Sequence, residues 1–416
     1  YMLIRTGPAN TVIKYMVVGI LAFIPMGLLY LRIKSCQLKK RELYLLLLFP
    51  LLFQLTLLPS SPEMSDDIYR YIWDGKVQVN GISPYLHAPD SVELTHLHSE
   101  NLPSRVNFPD IKTIYPPLSQ ILFSLSYLLF GESLIGLKFC FILFNLCCSL
   151  VLLSLLHQLK RPLALLLPII WNPLIIMETA INGHLDVVML LFTMAGILYF
   201  YKCRYIAAGI LFALAIHSKL IPVVLLPVLI WTLLKQKKIK ALIRFSIPFI
   251  ITNAFLFLLY IQTVGTMFNT AHNYASQWYF NNPIFYLIMT FVPDNQQAHL
   301  VSFLLLSFLL LILSLANIQK ELKLFLIILG FILLNPTIHP WYLILLLGLS
   351  PLFPTHAVFL WSMTVFSSYT VVHIYKLTGI WQDSVYQLLI QYAPLILLLG
   401  WQLRIRWLKR TSVLPG

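Results

Sequence analysis

Long apolar runs separated by short polar turns make up most of this chain. Runs of about 20 apolar residues suit helices that cross a bilayer. The pattern predicts spans near 12–32, 42–59, 134–157, 162–177, 185–201, 205–218, 220–235, 241–261, 299–317, 324–337, 341–353, 356–375 and 386–403. That is about 13 transmembrane helices, some short enough to be tilted or broken. Residues 117–131 are also apolar, but are expected to form a re-entrant or juxtamembrane segment. The first run is too long for a signal-peptide core and lacks a small-residue cleavage site, so it reads as a span. The expected fold class is all-α: a polytopic membrane protein, one transmembrane domain over 1–416. An outer loop over 60–133 would carry juxtamembrane helices, and a second outer loop would cover 262–298.

Composition agrees with a chain built for lipid. It is 59% hydrophobic and 11% charged, with a mean hydropathy of +0.82, whereas soluble domains carry about 25% charged residues. The formal net charge of +14 could suggest nucleic acid, but its distribution does not. Twenty of the 29 basic residues fall in six clusters: Arg32 to Arg41, Lys160–Arg161, Lys202–Arg204, Lys235 to Arg244, Lys320–Lys323 and Arg404 to Arg410. All six lie inside only if 117–131 does not cross. Acids partition oppositely, with Glu42 and Glu321 alone of the 15 on the inner side. The N-terminus is then outside and the C-terminus inside. The basic residues report topology and lipid contact, with no nucleic-acid surface. The five cysteines show no metal-type spacing and read as small apolar residues.

The outer side collects the unusual chemistry. Its most polar and aromatic stretch is Ser65-Asp66-Asp67-Ile68-Tyr69-Arg70-Tyr71-Ile72-Trp73-Asp74-Gly75. As a helix it groups Asp66, Asp67, Arg70 and Asp74. Ile68, Tyr69, Ile72 and Trp73 would face a membrane interface. The bland alternative is an interfacial helix whose charges simply meet water.

Further polar turns join it: Tyr115-Pro116-Pro117; Glu178 through Asn182, His184 and Asp186; His217-Ser218-Lys219; and Asn335-Pro336 with His339-Pro340-Trp341-Tyr342. Asn172-Pro173 and Asn335-Pro336 read equally well as helix breaks. Glu178 and Asp186 read equally well as loop charges, and His184 as an interfacial histidine. Lys219 is harder to dismiss. It is a cation between apolar runs with no acid beside it in sequence, and a half-buried ammonium needs an anion. A lipid phosphate or a carboxylate from another turn would serve.

Carboxylates facing a lysine and histidines at a bilayer boundary suit transfer from a lipid-phosphate-linked sugar. A carboxylate takes the proton of an acceptor hydroxyl, and cations stabilise the departing lipid phosphate. No metal cofactor is required if those cations neutralise the charge, although a divalent ion stays open.

Taken in order, these motifs resemble the GT-C fold membrane glycosyltransferases. The closer likeness is to the prokaryotic mannosyltransferase-like group of glycosyltransferase family 87, with a more distant one to the catalytic subunit of GPI mannosyltransferase I. The likeness is carried by Ser65-Asp66-Asp67-Ile68-Tyr69, Asp74-Gly75, Ser83-Pro84-Tyr85, Tyr115-Pro116-Pro117-Leu118, Asn172-Pro173, Asn182-Gly183-His184-Leu185-Asp186, His217-Ser218-Lys219-Leu220-Ile221-Pro222 and His339-Pro340-Trp341-Tyr342. It implies a catalytic acidic motif in the first outer loop. It also implies a polyprenyl-phosphate sugar donor, often mannose, attacked with inversion by a lipid or glycan acceptor on the extracytoplasmic side, with the enzyme in a prokaryotic plasma membrane. The GPI enzyme's motif is Asp-x-Asp followed by Tyr, whereas here it is Asp66-Asp67-x-Tyr69. Aligning the tyrosines favours Asp66 slightly, and the base stays open between Asp66 and Asp67. Substrate contacts are expected from Tyr69, Arg70, Asp74, Tyr85, Tyr115, Asn182, His184, Asp186, His217, Lys219, His339, Trp341 and Tyr342. Lys219 would meet the donor phosphate, with His184 or His339 as helpers.

Two rival classes remain at this level. A flippase of lipid-linked sugars should place ionisable groups near the bilayer midplane, and here they lie at span ends. A polysaccharide polymerase or ligase would use a lipid-diphosphate donor.

Overall fold

The computed structural model describes residues 8–34 and 36–411. In chain order the helices are α1 (Pro8–Ile33), α2 (Lys40–Leu57), α3 (Asp67–Val79), α4 (Pro117–Phe130), α5 (Leu134–Gln158), α6 (Leu167–Ile170), α7 (Pro173–Met177), α8 (Asp186–Tyr201), α9 (Tyr205–Ser218) and α10 (Leu226–Lys235). Then come α11 (Ile239–Leu258), α12 (Val264–Gln277), α13 (Pro283–Phe291), α14 (Asn295–Leu315), α15 (Lys320–Leu334), α16 (Leu343–Gly348), α17 (His356–Thr364), α18 (Thr370–Thr378) and α19 (Val385–Thr411). Among the described residues there is no strand, only one bridge between Phe280 and Thr337. The fold is all-α and polytopic.

Among the described residues, six helical segments are long and apolar enough to cross a bilayer: 10–33, 134–158, 239–258, 295–315, 356–378 and 385–402. A seventh is a pair, 163–170 and 173–182, bent by 48°. The expected count of about 13 is therefore not reached by length. The shortfall has a local cause. Helices α9 and α15 end where Lys219 and Asn335 leave the helical conformation, and prolines 173, 222 and 340 start the pieces that follow. These breaks fall where the polar turns lie.

One buried apolar cluster runs through the chain from Val12 to Leu395. Helix α3 lies inside the protein, which corrects the expectation of an interfacial helix. Ile68, Tyr69, Ile72 and Trp73 are all buried. An amphipathic pattern specifies that a face is covered but not by what, and here α4 and the loop after α3 cover it. Tyr71 stacks on Phe123 of α4 at 4.6 Å and 9°. Gly75 lets the two helices touch: a Cβ there would stand 2.4 Å from the Phe123 carbonyl oxygen.

Both ends of α4 are tied to the same loop. Before its start, the Tyr115 carbonyl accepts from the Tyr85 hydroxyl at 2.8 Å. After its end, Glu132 pairs with Lys76 at 2.7 Å and accepts from Ser99 at 2.9 Å. Elsewhere, basic turns meet. Tyr201, beside Lys202, donates to Glu321 at 2.6 Å, with Lys320 over its ring, and Lys235 donates to Asn317 at 2.9 Å. The side chains of Arg406, Lys409 and Arg410 lie outside the described set.

Candidate active site

The first half of the site comes from the start of α3. Asp66 occupies the N-cap position without a side-chain cap, and it is exposed. Asp67, one step on, turns inward. Its carboxylate accepts from Asn107 Nδ2 at 2.8 Å, and its other oxygen stands 3.8 Å from His184 Nδ1. Desolvation lifts the Asp67 carboxyl above the usual aspartate range, while the bond from Asn107 and the charge of Lys219 pull the other way. Arg70 supports neither aspartate as its primary partner. It pairs with Asp74 at 3.0 Å, one turn along α3, and donates to the Ile111 carbonyl at 2.8 Å. Asp74 also accepts from Gln120. Both are buried supports of the α3–loop contact rather than groups at an opening. Tyr69 accepts from Arg105 at 3.0 Å.

The second part is the turn after α7. A single π-helical turn over Glu178–Asn182 ends on Gly183 in the left-handed conformation, a local widening of a kind common at functional sites. Glu178, Asn182, His184 and Asp186 are fully buried, so the loop-charge readings of Glu178 and Asp186 give way. Glu178 accepts from Tyr15 at 3.0 Å, from Asn182 at 3.0 Å and from Tyr369. Asp186 supplies the anion that Lys219 lacked in sequence: Nζ donates to its two oxygens at 2.8 and 2.9 Å. Lys219 also faces the Tyr342 ring at 4.8 Å.

The third part is the 339–342 turn. His184 and His339 stack on Trp341 with centroids at 3.8 and 4.4 Å, nearly parallel. Two rings so close to one centroid cannot share a face, so both faces of Trp341 are taken and neither is left for a sugar. His184 lies between carboxylates and His339 behind Trp341, which weakens their expected role beside the phosphate. Tyr85 belongs to a small separate cluster with Val264 and Met267. His217 pairs with Asn253 at 3.1 Å and packs on Phe257. These two do not join the Asp67–Lys219 group.

A cavity of about 190 Å³ opens at Lys219, among Tyr115, Tyr274, Trp278 and Tyr342. Apolar Ile221, Ala271 and Phe331 continue its wall. Among the described residues no three His, Cys, Asp or Glu groups form a metal-type cluster.

Residues 2–235 match the sequence profile of the alpha-(1->6)-mannopyranosyltransferase N-terminal domain. The chain belongs to this mannosyltransferase family. It is also 36% identical over 112 residues to GPI mannosyltransferase 1 of Saccharomyces cerevisiae. That alignment covers 26% of this chain and 27% of the yeast protein, so the chain spans only about a quarter of the curated relative it matches.

The profile-matched part of this mannosyltransferase-family chain contains Asp67, Glu178, His184, Asp186 and Lys219. Sequence reasoning did not find Tyr15 and Tyr369, because both fall inside apolar runs read as spans, 12–32 and 356–375, despite Lys14 beside one and Ser368 and Thr370 beside the other. It also passed over Asn107, in a loop whose path the sequence does not reveal. Tyr274 and Trp278 belong to the second loop already singled out, with aromatic content as the available signal.

Proposed function

We propose that the protein is an inverting glycosyltransferase that moves mannose from a polyprenyl-phosphate donor to a hydroxyl of a lipid- or glycan-borne acceptor. The observation that carries this reading is Lys219, held by Asp186 at the wall of one cavity and near enough for its charge to act on Asp67, in a chain of a mannosyltransferase family. Lys219 has three N–H donors. Two are engaged by Asp186, and the third is available to the donor phosphate. The apolar wall through Ile221, Ala271 and Phe331 suits the first isoprene units of the lipid. Asp67 takes the acceptor proton as the acceptor oxygen attacks the anomeric carbon. The bond from that carbon to the phosphate oxygen breaks, and its electron pair leaves with the lipid phosphate. Asp67 is preferred to Asp66 as base because it turns inward, towards Lys219. No metal takes part in this scheme.

The decisive measurement is transfer of labelled mannose by purified protein. Polyprenyl-phosphate mannose is expected to serve as donor, and a lipid-diphosphate oligosaccharide is not. The reverse preference would favour a polymerase or ligase.

The site faces the extracytoplasmic side of a prokaryotic plasma membrane in this reading. Support comes from the inward charge pattern and from α4, which starts and finishes against one loop. In a background lacking the five native cysteines, Ser91→Cys should react with an impermeant thiol reagent in intact cells, and Gln236→Cys should not. Labelling of residue 236 but not 91 inverts the topology.

A further inference from the structure

His184 is fully buried, and neither of its ring nitrogens has a hydrogen-bond partner. It stands between two carboxylates: Nδ1 is 3.8 Å from Asp67 and Nε2 is 3.4 Å from Glu178. Both distances exceed a formed hydrogen bond, as is common for catalytic contacts in the absence of substrate. The ring is not loosely held. Trp341 stacks on it, and its backbone N–H donates to the Glu178 carbonyl at 2.9 Å. Gly183 fixes its approach to α3. At φ 71° it accepts a turn that a side chain would strain, and a Cβ there would lie 2.5 Å from Ile68 Cδ1. Ile68, the residue after Asp67, thus packs directly against Gly183, the residue before His184.

The nearer carboxylate, Glu178, favours the proton on Nε2. Tyr15 and Tyr369 occupy one of its oxygens and Asn182 the other, leaving the second oxygen room for Nε2–H. Nδ1 then keeps its lone pair, turned towards Asp67. While Asp67 is ionised, two lone pairs face each other. Once Asp67 is protonated, its O–H becomes the donor that Nδ1 lacks.

We propose that His184 is a positioning and proton-holding residue, which receives from Asp67 the proton that Asp67 takes from the acceptor, with Glu178 stabilising the imidazolium. This rests on Asp67 being the base. The acceptor O–H breaks as the new glycosidic bond forms, and the sugar–phosphate bond breaks with its pair going to phosphate. The proton passes from Asp67 to Nδ1, then returns through Asp67 to water after product leaves. Burial, and after it the charge of Lys219, oppose charging of the ring, so the imidazolium depends on Glu178 at 3.4 Å and Asp67 at 3.8 Å to offset them. This arrangement parallels the way a buried carboxylate holds the histidine of a hydrolase triad.

The test compares Asp67→Asn, His184→Gln, Glu178→Gln and the Asp67→Asn/His184→Gln double variant in single-turnover mannosyl transfer. His184→Gln is expected to slow turnover about 10- to 100-fold with the KM for donor and acceptor unchanged. Glu178→Gln should act in the same direction, and it carries the test if His184→Gln does not fold. The double variant should be no slower than Asp67→Asn, because the proton reaches His184 only through Asp67. Wild-type turnover in His184→Gln and Glu178→Gln overturns the proposal, as does a double-variant loss equal to the product of the single losses. If Asp67→Asn itself turns over normally, the base assignment has failed, an outcome distinct from failure of the relay alone.

Discussion

Asp67→Asn is expected to lower mannosyl transfer by about 10²–10⁴-fold, the usual contribution of a general base. Asparagine keeps the shape and can still accept from Asn107, so folding should survive. Donor affinity should change little, because the group acts on the acceptor. Asp66→Asn should retain most activity, since the residue is exposed and makes no side-chain cap. Desolvation raises the Asp67 carboxyl, so the acid limb of the rate profile should lie above that of a free aspartate. Activity is present above that carboxyl's pKa and is lost as the pH falls through it, because a protonated base cannot take a proton. The measurement is turnover against pH for both variants, repeated with chelator. Normal turnover in Asp67→Asn refutes the assignment. Loss of wild-type activity with chelator, restored by Mg²⁺ or Mn²⁺, would make these carboxylates metal ligands.

Loss of Lys219 should act on the donor instead. A hydrogen bond to a charged group contributes about 1.5–3 kcal/mol, so Lys219→Gln should raise the donor KM by roughly 10- to 150-fold. The substitution has a second effect. It strips the buried Asp186 carboxylate of its cation, and breaking a buried pair costs about 3–5 kcal/mol. Lys219→Gln/Asp186→Asn removes both charges together and separates binding from stability. Its thermal midpoint should recover towards wild type while the donor KM stays high. If the double variant binds donor normally, Lys219 is structural and the phosphate lies elsewhere.

Much of the site could be read from the sequence because each polar turn interrupts grease. Asp67, His184 and Asp186 stand out as polar groups in turns, and Lys219 alone as a charge that apolar surroundings would not tolerate unpaired. Pairing was less legible. Arg70 and Asp74 are one helical turn apart, the simplest partner available, yet three nearby carboxylates left the choice open until the backbone turned Asp67 inward. Lys219 and Asp186 lie 33 positions apart, and only the packing of α8 on α9 joins them. Helix lengths were misjudged for a related reason. Hydropathy runs continuously through Asn172-Pro173, where the backbone breaks, whereas the break at Lys219 already divides the expected spans 205–218 and 220–235. Trp341 was expected to contact substrate because a sequence shows that an aromatic ring exists, not that both its faces are occupied.

The Lys219–Asp186 pair also bears on how the chain assembles. Both residues lie on consecutive helices in the first half, whereas the rings beside them, Tyr274, His339, Trp341 and Tyr342, come from the second half. During synthesis the two charges can therefore meet and cancel before the aromatic residues arrive. The later helices close over a neutral unit, and the ammonium never has to be carried into a greasy wall alone. The same order leaves Glu178 with Tyr15 and Asn182 at first, and Tyr369 completes its shell last.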